Sequence, residues 1–264
     1  MWQPPPILAY HQVVPWPLLG RPPAKPGLIV PLGRFRRQVA LLKGLGFTGV
    51  SLRQWAEGLE GRAPLPAKPI VITFDDGYFG VHEYALPVLR RAGFAASVYV
   101  IAEDLTSGSK GARAYPVLTA RQLRDWIDAG FEVGCHSLTH PRLDGCTEVE
   151  LRREIVESRA ALERVLGTAV HTFAYPYGTP SQRVIRFTRD HGYLAALGIQ
   201  KREPAGPPDL FSLPRIPLGY AQHLPRFLRR LWPYLRRRGP GRPDSACASG
   251  PGHGSCMRTD LPAH

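Results

Sequence analysis

The sequence lacks the features that mark a membrane-spanning, disulfide-rich or secreted protein. Across its 264 residues no apolar run reaches the roughly 18 residues that a transmembrane helix requires. The four cysteines form no CxxC pair and no dense pattern, so they leave the redox compartment open. The first six residues contain neither a basic stretch nor an apolar core, so we identify no secretory signal. The location of the protein therefore stays unknown, with the cytoplasm as the default.

The sequence also has fewer acidic than basic residues. The chain has 34 Lys and Arg residues against 21 Asp and Glu residues, a net charge of +13, and from residue 221 onward eight arginines face only two aspartates. A basic excess of this kind favours polyanions or anionic membrane surfaces as partners. The sequence contains no nucleic-acid recognition module, and charge alone supports only non-specific binding, so no specific nucleic-acid partner is predicted.

What the sequence does contain is an alternation of short apolar runs with segments of helical period. Strands are predicted at residues 7–10, 48–50, 70–74, 96–101, 132–135, 172–175, 194–197 and 213–216. Helices are predicted at residues 35–45, 52–59, 84–92, 119–129, 148–166, 181–191 and 223–238. Repeated strand–helix units predict a parallel sheet with outer helices, and seven or eight of them favour a closed (β/α) barrel over an open sheet.

Two stretches fall outside this alternation. Residues 16–31 are rich in proline and are predicted as a long loop. Residues 239–264 are mainly Gly, Pro and Ser with little apolar content, which predicts a disordered basic tail. We therefore assign residues 1–238 to one barrel domain and leave the tail outside it.

Adjacent carboxylates, Asp75 and Asp76, follow the apolar strand at residues 70–74. Parallel barrels carry their function at this carboxyl end of the strands. Two neighbouring carboxylates are costly there unless something compensates their charge, and a divalent ion bound by one would keep the other ionised. In an extended segment the two side chains point in opposite directions, so they can have different roles. The simpler alternative is an Asp-Asp-Gly turn that caps the next helix.

Two histidines, His136 and His140, follow the strand at residues 132–135. A spacing of four residues lets two imidazoles reach one metal ion, although this spacing alone is a weak signal. With a carboxylate expected at the same end of the barrel, the set becomes two imidazoles and one carboxylate with open coordination positions. Such a set is typical of a catalytic metal site rather than a structural one.

These motifs resemble the signature motifs of the polysaccharide deacetylases, the NodB-homology group, over roughly residues 5–220. The matching segments are Thr73-Phe74-Asp75-Asp76-Gly77, His136-Ser137-Leu138-Thr139-His140 and Phe173-Ala174-Tyr175-Pro176-Tyr177-Gly178. The resemblance implies a distorted (β/α) barrel that acts on an N-acetylated polysaccharide or oligosaccharide. It implies one divalent ion, most often zinc, held by Asp76, His136 and His140, with Asp75 as the general base.

The third motif has a further implication and a departure from the family pattern. Pro176 and Tyr177 would form a wall of the groove, with the Tyr177 backbone N–H donating to the oxyanion. The arginine that usually begins this motif and orients the base is replaced by Ala174. The late catalytic histidine of the family is also absent, because residues 213–218 contain none.

With these departures the sequence resembles a subgroup similar to poly-β-1,6-N-acetylglucosamine deacetylases. In that subgroup an early Tyr-His pair stands near the strand that closes the barrel. We therefore predict that His11 is the general acid and that Arg215 replaces the missing partner of Asp75. The alternatives are a packing histidine at a strand end and an ordinary structural ion pair.

The sequence thus predicts a metal-dependent N-deacetylase, with a carbohydrate-binding pseudoenzyme that keeps the groove and the metal as the alternative. Two interpretations of the C-terminal segment also stay open. An apolar stripe runs through it, with arginines on the remaining positions. Such a helix either closes the barrel with a solvated outer face or makes weak contact with an anionic membrane surface.

Overall fold

The computed structural model describes residues 4–15, 25–106, 115–199 and 209–235. The predicted tail at residues 239–264 lies outside these ranges. So do most of the predicted loop at residues 16–31 and the end of the predicted helix at residues 223–238.

The centre of the molecule is a parallel sheet of short, buried strands. Its strands are β1 (Ile7–Tyr10), β4 (Thr48–Val50), β5 (Pro69–Phe74), β6 (Ser97–Val100), β7 (Glu132–Cys135), β8 (Thr172–Ala174), β9 (Ala195–Leu197) and β10 (Ile216–Pro217). Seven of them follow the order β10-β1-β5-β6-β7-β8-β9, and β4 pairs with β5. All six residues of β5 are buried, as expected for a strand covered on both faces.

One segment near the end of the described chain contacts both edges of this sheet. Leu213 forms a parallel bridge with Leu197 in β9, and Ile216 pairs with Leu8 in β1. The predicted strand at residues 213–216 is therefore wrong in detail, because the segment crosses from one edge to the other and only Ile216–Pro217 forms a strand. The predicted distorted barrel of seven or eight parallel strands is confirmed.

Helices cover the outside of the sheet. They are α1 (Leu32–Gly44), α2 (Leu52–Leu59), α3 (Leu86–Ala92), α4 (Ala102–Thr106), α5 (Ala120–Asp128), α6 (Glu148–Leu151), α7 (Ser158–Leu166), α8 (Gln182–Asp190) and α9 (Leu224–Leu235). Capping boxes begin α2, α5 and α6, where the side chains of Ser51, Thr119 and Thr147 each accept a backbone N–H. Gly167 ends α7 in the left-handed conformation that glycine adopts readily.

Two predicted helices contain π-helical segments that the sequence pattern did not indicate. The segment Val81–Ala85 precedes α3, and the segment Arg152–Glu157 joins α6 to α7. A π turn adds one residue to the helical period, so it changes which side chain points inward without ending the helix.

A second, two-stranded sheet lies outside the barrel. Its parallel strands are β2 (Gln12–Val14) and β3 (Ile29–Pro31). The prediction of an unbroken loop at residues 16–31 is therefore wrong at its end, because Ile29 and Val30 are β-branched, buried and paired. A backbone N–H of Gln12 also bonds to the Leu28 carbonyl, which fixes the approach to β3 beside the end of β1.

The core combines the sheet with the inner faces of the helices. Tyr10, Phe35, Phe74 and Trp126 are fully buried and form edge-on and stacked ring contacts. Phe227 and Leu231 bury one face of α9 in the same cluster, so the last helix packs on the barrel as the first of its two interpretations requires. None of the described helices combines the length and the apolar character needed to span a bilayer.

Candidate active site

The carboxyl ends of the strands surround a cavity of about 350 Å³. Seven of the eight sequence-predicted site residues line it, namely His11, Asp75, Asp76, His136, His140, Tyr177 and Arg215. The eighth, Pro176, is buried beside Tyr177 in a short 3₁₀ turn. The cavity lies within the size range of small-molecule sites. Parallel β1, β5, β7 and β8 thus deliver residues that are distant in sequence to one end of the sheet.

Asp76, His136 and His140 surround one point. An Asp76 carboxylate oxygen lies 3.5 Å from His136 Nε2 and 3.7 Å from His140 Nε2. These separations exceed the usual 2.7–3.2 Å of a hydrogen bond. They match the edges of a coordination tetrahedron, which are about 3.4 Å long when the metal–ligand bonds are about 2.1 Å. The three residues therefore fit a divalent ion.

The orientation of His136 supports this arrangement. Its Nδ1 lies 2.7 Å from the Ala174 carbonyl oxygen. Because a carbonyl only accepts, Nδ1 carries the proton and Nε2 is left with a lone pair on the side of Asp76.

The backbone around the metal ligands is strained. Asp76, Ser137 and His140 have φ angles of 65°, 66° and 66°, a region that costs a residue with a side chain about 1–3 kcal/mol. Local hydrogen bonds hold the loop in this conformation, since the Ser137 hydroxyl accepts the His140 N–H at 2.9 Å.

Glu154 anchors the same loop from the outside. Its carboxylate accepts the backbone N–H groups of Leu138 and Thr139, both at 2.9 Å, and the Thr139 hydroxyl at 2.8 Å. Glu154 is buried and lies in the π segment Arg152–Glu157. Sequence analysis did not identify this residue, because a glutamate in an amphipathic helix gives no signal that it points inward.

Asp75 is paired with Arg215. The guanidinium NH1 and NH2 groups lie 2.7 and 2.8 Å from the two carboxylate oxygens, and both side chains are buried. Arg215 also donates to the Thr73 hydroxyl and the Gly198 carbonyl, each at 3.2 Å. Burial alone would raise the pKa of Asp75, but the Arg215 charge lowers it below its ordinary value. Asp75 is therefore an oriented carboxylate, and the guanidinium comes from the closing segment of the barrel.

His11 follows β1 directly and lines the same cavity. Its Nδ1 is buried and has no hydrogen-bond partner among the described residues. Burial lowers the pKa of His11, although the nearby charges of Asp75 and Asp76 act in the opposite direction.

Tyr177 forms part of the cavity wall in an unusual conformation. Its φ is 61°, and 51% of the residue is exposed. The ring centroid lies 4.9 Å from that of His140, and the Arg142 guanidinium lies 4.3 Å from the ring centre. The Tyr177 ring thus contacts both the Arg142 guanidinium and the His140 imidazole. Sequence analysis missed this contact, because it joins two loops.

Comparison with known proteins shows which family this chain resembles in sequence. The polysaccharide deacetylase family model matches residues 62–196, which is about half of the chain. A Bacillus subtilis protein that carries the name of a polysaccharide deacetylase, YxkH, is 22% identical over 211 residues, covering 80% of this chain and 70% of YxkH. A poly-β-1,6-N-acetyl-D-glucosamine N-deacetylase of Staphylococcus epidermidis is 23% identical over 192 residues, covering 69% of this chain and 65% of that protein.

Solved structures agree with the observed fold. The deacetylase PplD of Streptococcus pyogenes, solved with acetate, superposes with a TM-score of 0.74 at 22% identity, covering 87% of this chain and 98% of PplD. IcaB from Ammonifex degensii superposes with a TM-score of 0.68 at 22% identity, covering 86% of this chain and 93% of IcaB. At these identities the structural likeness supports the barrel fold.

Proposed function

The chain belongs to the polysaccharide deacetylase family, and on that premise we propose that it is a metal-dependent hydrolase that removes N-acetyl groups from an amino-sugar polymer or oligosaccharide. The observation that carries the proposal is the cluster of Asp76, His136 and His140 around one point, beside the ionised Asp75 in the same cavity. Family membership supplies the reaction class, and the cluster supplies the groups that the reaction needs.

The proposed cofactor is one divalent ion, with zinc as the best match to two imidazoles and a carboxylate. Asp76, His136 and His140 would hold it. Such an ion, when bound, polarises an acetyl carbonyl and lowers the pKa of water. A set of three protein ligands would leave coordination positions for a water molecule and the acetyl oxygen.

Asp75 is the proposed general base. It lines the cavity beside the ligand cluster, and its Arg215 pair keeps it ionised and fixes the direction of its oxygens. Both carboxylate oxygens accept from Arg215, so the one that faces the water has to use a second lone pair. In this role Asp75 removes a proton from the attacking water, and Arg215 positions Asp75.

His11 is the proposed general acid. The amide C–N bond breaks when the departing nitrogen is protonated, so the reaction needs a donor on the side of the leaving amine. His11 comes from β1, whereas Asp75 comes from the neighbouring strand β5, and both line the cavity. The position of His11 directly after β1, in the wall of the cavity that Asp75 also lines, supports a proton-transfer role.

Tyr177 and Pro176 are proposed to shape the wall that receives the acetyl carbonyl. The left-handed backbone at Tyr177 turns this residue toward the cavity, and a backbone N–H there is suited to a developing oxyanion. Strain of this kind is retained where function requires it, and the Arg142 contact stabilises the ring in place.

The substrate is tested directly by acetate release from a panel of acetylated oligosaccharides. The panel contains β-1,6- and β-1,4-linked N-acetylglucosamine oligomers and peptidoglycan fragments, each assayed after chelation and again after zinc is added. We expect release from at least one oligomer, abolished by the chelator and restored by zinc. Binding of an oligomer without acetate release would favour the carbohydrate-binding alternative, and release that is insensitive to chelation would contradict the metal assignment.

A further inference from the structure

The positive charge of this chain is concentrated in two segments that contain no acidic residue. The first acidic residue is Glu57, and none occurs between Asp209 and Asp244. Fifteen of the 34 Lys and Arg residues lie in residues 1–56 and 210–243. The rest of the chain carries 19 Lys and Arg residues against all 21 Asp and Glu residues. The net charge of +13 therefore originates entirely from these two segments.

The fold brings the described parts of the two segments together. β1 pairs with β10, and α1 packs against α9. The Gln38 side chain of α1 donates to the Gln222 carbonyl just before α9, and the Arg34 guanidinium donates to the Tyr220 carbonyl. Segments that are far apart in sequence thus form one flank of the barrel.

Both helices expose cations on this flank. Arg36, Arg37 and Lys43 are exposed on α1, and Arg226 and Arg229 are exposed on α9. None of these five forms an ion pair within the described parts of the chain. Crowding of like charge is also visible at Arg230, where burial first, and then Arg226 and Arg229, lower the pKa.

The exposed face of α9 carries an aromatic side chain among its arginines. Trp232 is 53% exposed, and the helical period places it on the same side as Arg229 and Pro225. The opposite side of α9 is already used, because Phe227 and Leu231 are buried in the core. The arginines, together with an exposed Trp, distinguish this face from an ordinary solvated helix, since Trp prefers the boundary between water and lipid.

We propose that the face formed by α1 and α9, which we call the basic flank, docks on an anionic lipid bilayer. The arginines would contact lipid phosphates, and Trp232 would enter the headgroup region. None of the residues that line the active-site cavity belongs to α1 or α9, so the basic flank and the cavity wall share no residue. Attachment of this kind would hold the enzyme at a membrane through its basic flank.

The test is sedimentation of the full chain with lipid vesicles. Vesicles of phosphatidylcholine mixed with phosphatidylglycerol should bind the protein, and vesicles of phosphatidylcholine alone should not. The double variant Arg226→Gln/Arg229→Gln should lower the partition coefficient roughly tenfold or more, since each cation near an anionic surface contributes about fivefold. Trp232→Ser should lower it several-fold without changing the charge.

The matched control is Arg152→Gln/Arg153→Gln, which removes two exposed arginines from a region rich in glutamate. This control should bind vesicles like the wild type, and all variants should keep their melting temperature and their acetate release from a soluble oligosaccharide. Equal losses in the two double variants would overturn the proposal. The proposal would also be overturned if Trp232→Ser bound vesicles like the wild type and dextran sulfate displaced the protein from them. The basic flank would then be a general surface for polyanions.

Discussion

Two carboxylates are buried at opposite ends of the parallel strands, and their surroundings differ in kind. Asp75 follows β5 and is paired with the Arg215 guanidinium through both oxygens. Glu132 begins β7 and accepts three neutral donors, the Ser97 hydroxyl at 2.7 Å, the Thr172 hydroxyl at 2.5 Å and the Arg53 backbone N–H at 3.0 Å.

The pKa values of these two carboxyl groups move in opposite directions. Burial raises the pKa of Glu132, and its three hydrogen bonds offset the change only in part. At Asp75 the cation more than offsets burial, so the pKa is lowered. A full opposite charge thus keeps one carboxylate ionised for chemistry, whereas neutral donors are sufficient for a carboxyl group that only joins strands. The predictions below test this division between a functional end and a structural end of the sheet.

The largest effect is expected at the metal ligands. His136→Ala or His140→Ala removes one of three protein ligands, so the purified variant should lose most of its metal and its acetate release should fall to background. Metal analysis by mass spectrometry checks this directly. Full metal content in both variants would show that the ion, if any, binds elsewhere.

The next largest effect is expected from isosteric variants that neutralise Asp75 at one end of the strands or Glu132 at the other. Asp75→Asn should keep its metal and lower kcat by roughly 10²–10⁴, the usual contribution of a general base. Glu132→Gln should leave kcat within about twofold, because that end contacts no part of the cavity. If both variants lose activity to the same degree, the two ends do not differ in function. Asp76→Asn is a further comparison, because it should lose metal affinity first.

Removal of the cation should damage the fold as well as activity. Arg215→Met leaves Asp75 as a buried, unpaired charge, which costs about 3–5 kcal/mol of unfolding free energy. The double variant Arg215→Met/Asp75→Asn should recover a large part of that loss, since the uncompensated charge is gone. Chemical denaturation of the single and double variants measures the coupling. Independent, additive losses would mean that the ion pair contributes nothing specific.

His11→Gln should have a smaller effect on turnover. We expect kcat to fall roughly 10²-fold, the lower part of the range for acid–base catalysis, because Asp75 can pass its captured proton to the leaving nitrogen. Metal content and melting temperature should not change. Turnover like that of the wild type would assign both proton transfers to Asp75.

The smallest expected effect is a pH dependence of stability at Glu132. Because its folded-state pKa is raised, the folded protein binds a proton there more readily than the unfolded chain does. Its ionisation therefore disfavours folding as the pH rises through the folded pKa, and stability recovers as the pH falls toward the unfolded pKa. The unfolding free energy of the wild type, measured relative to Glu132→Gln, should increase as the pH is lowered. A constant difference between the two proteins would contradict the raised pKa.

The sequence predicted the barrel because its strands and helices follow local rules. Strands 7–10, 48–50 and 132–135 and the helix at 52–59 have the predicted bounds, since apolar runs, capping residues and glycines act over a few residues. The failures have a physical cause in common. β3 forms because Ile29 and Val30 meet β2, and the closing segment bends because it serves two strands at once. A local sequence pattern shows neither the pairing of β3 with β2 nor the two sheet edges that the closing segment contacts.

The site shows the same limit. The adjacent aspartates and the histidine pair predicted the cluster of Asp76, His136 and His140 from residue type and spacing. The resemblance to the family motifs implied their roles. Glu154, Arg142 and Glu132 gave no such signal, because each acts through a contact between segments that only the folded chain brings together. Arg215 was predicted from the absence of the family arginine rather than from any feature around residue 215.

The position of Arg215 in the closing segment has a consequence for the order in which the protein becomes active. Its partner Asp75 lies 140 residues earlier in the chain. During synthesis, a nascent chain that ends at residue 199 already contains the three proposed metal ligands, the proposed base and the proposed acid. It still lacks the guanidinium that neutralises the base and the segment that joins the two sheet edges. Closure of the barrel and pairing of the Asp75 carboxylate are therefore one event, and it follows synthesis of the other predicted site residues.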